Sequence, residues 1–348
     1  MQHAAQAEKP NNAPKFKLGS WAERGEAPEP VTPRDTVFCD GPAQLYRFRA
    51  SPNASPLKKT VLLVPSLINR WYVLDLRRGA SVATALVEAG FDVFCLDWGE
   101  PNDEDRFFTW DDVLSRLSRM VKKTVRISGA DQIGILGYCI GGTLTAIHTA
   151  LEPGPIAALV NLAGPIDFSH AGFLGHMTNP RWFDPAAIAQ AGNMSAAQMQ
   201  AGFVALRPTS QFAKVVSYLD KLSQQEKLEA FESLEKWASD NIAFPAAAYV
   251  RYIEDLYQEN QLVRGEHHIA GRQVDLARIS CPVLTVTTSK DAICPPPAAL
   301  ALNEKVGSAT REHVSIPGGH VGAVVGDKAR TELYPRLVEF YGRVLPNG

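Results

Sequence analysis

The sequence predicts an α/β fold: a mostly parallel sheet flanked by helices and interrupted by one helical insertion. Three observations lead there. Short, wholly apolar β-rich runs alternate with helix-like stretches between residues 61 and about 160, the pattern of βαβ units whose strands are buried on both faces. The alternation stops near Ile166, and up to about Asp275 the chain is helix-rich, with Met and aromatic residues. Strand signals then return at 282–286 and 313–316. The expected division is a mostly irregular arm over 1–34, a first core block over 35–165, the helical insertion over 166–275 and a second core block over 276–348.

Taken in order, the first 34 residues are polar and Pro-rich (Pro10, Pro14, Pro28, Pro30, Pro33), which suits an arm without regular structure. Short strand-like runs follow at 36–39 and 45–48. Val61-Leu62-Leu63-Val64 is the first fully apolar run, with helix-like residues over 81–89 behind it. The second run is 91–96 with a helix over 111–125, the third 133–136 with a helix over 141–151, and the fourth 158–160. In the insertion, Ser223 and Glu226 make a capping-box pattern ahead of an apolar stripe of Leu228, Phe231, Leu234 and Trp237, which reads as packing. A closing helix is expected over 328–344.

Composition removes several functions. The 348 residues are 45% hydrophobic and 21% charged, so the chain can bury a sizeable core. Lys and Arg (35) nearly balance Asp and Glu (37), and a net charge of −2 argues against a nucleic-acid surface as the main function. The five cysteines, Cys39, Cys95, Cys139, Cys281 and Cys294, are odd in number and widely spaced, which argues against a disulfide framework or a CxxC-type zinc site. A reducing compartment follows by default. The N-terminal stretch has no apolar signal-peptide core, and no apolar run approaches the ~18 residues of a membrane span. A cytoplasmic protein with no membrane span and no nucleic-acid partner is expected.

The strongest local signal is Gly137-Tyr138-Cys139-Ile140-Gly141-Gly142, placed after a strand and before a helix. This is the nucleophile-elbow pattern with Cys in place of Ser. A sharp strand-to-helix turn holds the nucleophile in a strained conformation above the sheet, and Gly137 and Gly141 stand where side chains would collide across it. A helix N-terminus favours a thiolate and offers the Ile140 N–H as half of an oxyanion site. The acid and the base should follow in that chain order, each at the end of a later strand. Asp291 follows the 283–286 run, and His320 follows the 314–316 run in a Gly-Gly turn. The second oxyanion donor is expected in the loop after the first parallel strand, at the backbone N–H of Ile68, with Leu67 next. Cys95, Cys281, Cys294 and His148 read as structural. His267-His268 does not read as a metal site, because adjacent strand residues face opposite ways.

With these residues in place, the sequence resembles the polyhydroxyalkanoate synthases. The likeness extends over roughly 36–345: Val64-Pro65-Ser66-Leu67-Ile68-Asn69-Arg70-Trp71-Tyr72-Val73-Leu74-Asp75-Leu76, Leu96-Asp97-Trp98-Gly99, the G-x-C-x-G-G turn, Leu256-Tyr257-Gln258-Glu259-Asn260, Val274-Asp275-Leu276 and Pro317-Gly318-Gly319-His320. The resemblance implies an α/β-hydrolase core with a helical cap, and polymerisation of (R)-3-hydroxyacyl-CoA, 3-hydroxybutyryl-CoA first among them, with CoA release. It implies that Cys139 holds the growing polyester chain, His320 is the base and Asp291 assists, with either His320 or Asp291 activating the incoming hydroxyl. No cofactor is implied, since CoA leaves with the reaction, and no metal. The short arm resembles the short-chain, two-subunit (class III-like) type, which implies a second synthase subunit, a homo-oligomer or both, at polymer granules or free in the cytoplasm. One position departs from the family's pattern: where it usually has a His after the catalytic Asp, this chain has Ala292. An esterase or thioesterase on the same scaffold is the runner-up, and a non-catalytic granule protein the third reading.

Overall fold

A computed structural model describes residues 30–206 and 225–346. Most of the expected arm lies outside them, as do Ser223 and the side chain of Glu226; the first strand already begins at Arg34. Eight strands make one sheet: β1 (Arg34–Asp40), β2 (Ala43–Phe48), β3 (Thr60–Val64), β4 (Asp92–Asp97), β5 (Ile133–Tyr138), β6 (Ile156–Leu162), β7 (Val283–Thr288) and β8 (Arg311–Ile316). Their spatial order is β1-β2-β4-β3-β5-β6-β7-β8. β2 pairs antiparallel with β1 and β4, and the other five neighbouring pairs are parallel. Every residue of β3 and β5 is buried, which is why these segments read as unbroken apolar runs rather than alternating ones. The edge strand β8 alternates, with Arg311, His313 and Ser315 set differently from their neighbours in burial.

Helices cover both faces of the sheet. α1 (Val82–Glu88) starts at Ser81, whose hydroxyl accepts the Thr84 N–H. α2 (Trp110–Ser128) begins one residue before the expected 111 because Thr109 and Asp112 form a full capping box. It ends on Gly129 at φ 74°, a left-handed cap. α3 (Ile140–Leu151) is buried over its whole length beneath the nucleophile turn. The closing helix starts with a π-helical turn, Ala329–Leu333, and runs on as Tyr334–Val344; its Tyr341 hydroxyl donates to Ile135 O at 2.8 Å, tying the C-terminus to the central strand.

Between β6 and β7 lie α4 (Gly172–Met177), α5 (Pro185–Ala189), α6 (Ala196–Leu206), α7 (Gln225–Ser239) and α8 (Ala246–Arg251), the last continuing as a π-helical segment, Tyr252–Gln258. The stripe on α7 is anchored by Trp237, which is buried, while Leu228, Phe231 and Leu234 are partly covered. A two-stranded ribbon (His268–Ile269 with Arg272–Gln273) also lies here, which the helix-rich reading omits; strands of two residues leave no periodicity to detect. Among the described residues no helix is long and apolar enough to cross a membrane.

Candidate active site

Three loops at the C-terminal ends of parallel strands on one side of the sheet, β5, β7 and β8, meet at one point, the usual place for chemistry in an open α/β sheet. Cys139 follows β5 directly, Asp291 comes three residues after β7, and His320 four residues after β8. Cys139 adopts φ 57°, ψ −127°, a backbone state L-residues rarely hold. The turn leaves no alternative. A Cβ on Gly137 would stand 2.2 Å from Gly141 O, and one on Gly141 would stand 2.2 Å from Val64 O. Cys139 N–H donates to Leu162 O at 3.0 Å, and Gly142 N–H returns to Cys139 O at 2.8 Å, which fixes the strained residue from both sides.

His320 and Asp291 are both buried, with His320 Nδ1 2.7 Å from Asp291 Oδ2. The carboxylate has three further donors: the Thr288 hydroxyl on Oδ2 at 2.9 Å, and the Ile293 and Cys294 N–H groups on Oδ1, each at 2.9 Å. Burial alone would raise the Asp291 carboxyl, but the hydrogen bond and charge of His320, with these N–H groups, hold it below its usual value. Asp291 is therefore oriented without any contribution from a side chain at position 292. Burial opposes charge on His320, yet the adjacent Cys139 sulfur and the Asp291 carboxylate outweigh it and push the imidazole up to about 10. Among the described residues His320 Nε2 is buried with no nitrogen or oxygen partner, leaving that nitrogen open for a proton on or from a reacting group.

Beside Cys139 opens a cavity of about 330 Å³. Ile68 and Ile140 line it with Cys139. Ile140 is the first residue of α3, ahead of the helical hydrogen-bond ladder, and the Ile68 N–H has no backbone acceptor among the described residues. Both expected oxyanion positions thus line the same cavity as Cys139; Leu67 is buried but does not line it. The insertion supplies much of the remaining wall, through Met177, Phe183, Met194, Phe244, Tyr252 and Tyr257. Of the other aromatic residues there, Phe168 is buried behind Tyr252 and Tyr257, whereas Phe173 and Trp182 face outward, 50% and 57% exposed.

Several contributors carry no sequence signal of their own. Tyr138, the variable residue of the turn, stacks on the His320 ring at 5.2 Å. Thr288 is an ordinary strand residue until the turn brings Asp291 back over it. Tyr252 and Tyr257 line the cavity with Cys139 from a π-helical segment, a widening of the helix that often marks functional sites. Burial pushes the Tyr252 and Tyr257 hydroxyls up, and the Cys139 charge adds to it. The remaining candidates are accounted for. Cys95 and Cys294 are buried, and burial raises both thiols. His148 is lowered to about 4 by burial. His267 accepts the Trp110 indole N–H at 3.2 Å, while His268 is exposed.

Comparison with known proteins agrees with this geometry in kind. A family model described as the alpha/beta hydrolase fold matches residues 59–327. A hydrolase from Pseudomonas aeruginosa superposes with a TM-score of 0.54 at 16% identity, covering 89% of this chain and 98% of that one. A monoacylglycerol lipase from Paleococcus ferrophilus superposes at 0.53 and 16%, covering 85% and 98%. At such identities the likeness shows the fold alone. Sequence relatives go further. The poly(3-hydroxyalkanoate) polymerase subunit PhaC of Thiocystis violacea is 30% identical, covering 88% of this chain and 87% of that protein. That of Synechocystis is 32% identical, covering 89% and 84%. That of Haloferax mediterranei is 32% identical over 89% of this chain, which spans only 64% of that longer protein. The chain belongs to the poly(3-hydroxyalkanoate) polymerase PhaC family, built on the alpha/beta hydrolase fold.

Proposed function

We propose that this chain is an acyltransferase that polymerises (R)-3-hydroxyacyl-CoA into polyester, with Cys139 as the nucleophile, His320 as the base and Asp291 as its orienting acid. The observation that carries the reading is a cysteine, not a serine, at the strained turn, facing an apolar cavity. The donor is a thioester, so transfer from CoA sulfur to Cys139 sulfur exchanges like for like and keeps the acyl group activated. A serine would drop it into a more stable oxygen ester.

The steps balance as follows. The Cys139 thiolate attacks the thioester carbonyl, and the Ile68 and Ile140 N–H groups hold the oxyanion. The carbon–sulfur bond to CoA breaks, and the departing CoA thiolate takes the proton from His320. Neutral His320 then takes the proton of an incoming 3-hydroxyl through Nε2, the new oxygen attacks the Cys139 thioester, and the Cys139 sulfur leaves as thiolate. The chain, longer by one unit and esterified to CoA, then acylates Cys139 again. Asp291 has its hydrogen-bonding positions filled within the fold, which favours His320 as the base for both halves. No cofactor enters this scheme. The apolar wall limits water, which would otherwise divert each acyl-enzyme to free acid.

The likeness to the two-subunit type extends the proposal to a second synthase subunit or a homo-oligomer, working in the cytoplasm at the surface of polymer granules. Incubation with (R)-3-hydroxybutyryl-CoA, with and without a candidate partner subunit, is the test. CoA release with polymer is expected. CoA release with free hydroxy acid alone would instead assign a thioesterase on the same scaffold. Full activity in Cys139→Ala would overturn both.

A further inference from the structure

One strap of the insertion, residues 237–244, is bonded both to the loop that carries Ile68 and to the cavity wall. Toward the loop, Ile242 N–H donates to Ile68 O at 3.2 Å, and Asn69 Nδ2 donates to Asn241 Oδ1 at 2.5 Å. The Trp237 indole N–H donates to Arg70 O at 2.9 Å. Asp240 closes the contact with both carboxylate oxygens: Arg70 Nε donates to Oδ1 at 3.0 Å and the Tyr72 hydroxyl to Oδ2 at 2.7 Å. Toward the wall, Asn241 Nδ2 donates to Gln200 on α6 at 2.5 Å, and Phe244 exchanges two backbone hydrogen bonds with Met194, at 2.8 and 2.9 Å. Met194, Phe244 and Ile68 all line the cavity that holds Cys139.

Among the described residues the core packs against Ile68 and Trp71 but makes fewer hydrogen bonds to this loop: the Trp98 indole N–H to Pro65 O at 3.1 Å and Arg70 to an exposed Glu100 at 2.9 Å. The stretch that begins at Ile68 is thus hydrogen-bonded chiefly to the insertion, starting with the carbonyl of Ile68 itself. An oxyanion donor works only when it is fixed in advance where the charge develops. We infer that Asp240, with Asn241, is a positioning residue: it latches the insertion to the oxyanion loop, so that the Ile68 N–H is aimed at the acyl oxygen only while the strap is seated. This rests on the proposed roles of Cys139 and Ile68.

The test separates two reactions of one sulfur. Acylation by a thioester passes through an oxyanion, whereas alkylation by iodoacetamide does not. In Asp240→Ala, single-turnover acylation of Cys139 by (R)-3-hydroxybutyryl-CoA should slow by about tenfold or more. Alkylation of Cys139, read by peptide mass spectrometry to set aside exposed Cys39, should stay within about twofold of the unsubstituted protein. Asp240→Asn, which keeps one acceptor, should recover part of the loss. Should Asp240→Ala not fold, Tyr72→Phe removes one of the two bonds and should shift acylation the same way by a smaller factor. Acylation unchanged in both variants, or alkylation falling in step with it, overturns the latch. Hydrogen exchange over 66–72 gives a second reading, faster in Asp240→Ala with α3 unchanged. It decides the latch even if the unsubstituted protein takes no acyl group, an outcome that would overturn the proposed function instead.

Discussion

The Asp291 carboxylate meets His320 Nδ1 at 2.7 Å and is also held by Thr288 and two backbone N–H groups, so its position does not depend on residue 292. A side chain at 292 should therefore matter little: Ala292→His should leave the His320 titration, followed by NMR of the imidazole, where it is. Thr288→Val removes one donor to a buried charge and should cost about 1–3 kcal/mol in denaturant unfolding. Asp291→Asn should lower the His320 pKa and cut CoA release by about 100-fold or more.

The charge balance at His320 gives a pH signature. Its folded value, about 10, lies above the ordinary 6.5, so folding favours the protonated ring. The stabilisation from this group is fully present below about pH 6.5 and is lost as pH rises through about 10. The melting temperature of the unsubstituted protein should fall more steeply between about pH 7 and 10 than that of His320→Gln. Because Cys139 is the first cause raising His320, Cys139→Ala should bring the imidazole titration down toward the ordinary value. A titration unmoved in Cys139→Ala would show that the sulfur and the imidazole do not interact as placed.

Much of this architecture was legible because its signals are local. β3, β5 and β7 are buried on both faces, so they stand out as apolar runs, and the nucleophile turn is constrained so tightly that its glycines announce it. Asp291 and His320 could be proposed by order alone, as strand-end residues after Cys139, and the structure brings the two side chains to 2.7 Å. What escaped depends on tertiary return. Thr288, Tyr138 and Asp240 are ordinary residues whose importance comes from what folds back onto them. Phe173 and Trp182 show the reverse: large aromatic side chains in a short-helix insertion, with no periodicity to tell inward from outward.

The cavity wall should set acyl length. Phe183 lines the cavity with Cys139 from the insertion, and its truncation enlarges an apolar space without changing Cys139, Asp291 or His320. Phe183→Ala should raise the rate of CoA release from six-carbon relative to four-carbon (R)-3-hydroxyacyl-CoA; one methylene in an apolar pocket is worth about 1–3 kcal/mol of discrimination. An unchanged ratio would place the length limit elsewhere along the wall.

The strained turn predicts an inverted stability order at the nucleophile itself. Gly is usually less stable than Ala by about 0.5–1 kcal/mol, because it loses more freedom on folding. At Cys139, with φ 57° and ψ −127°, the order should reverse: Ala keeps the steric conflict between Cβ and the backbone, and Gly relieves it. Strain of this kind costs on the order of 1–3 kcal/mol, so Cys139→Gly should unfold at higher denaturant than Cys139→Ala by about 1 kcal/mol or more. Both variants lack the sulfur, so the comparison isolates the backbone from the chemistry. If Ala proves the more stable of the two, the turn is not strained at this residue, and the positive φ of Cys139 carries no energetic cost.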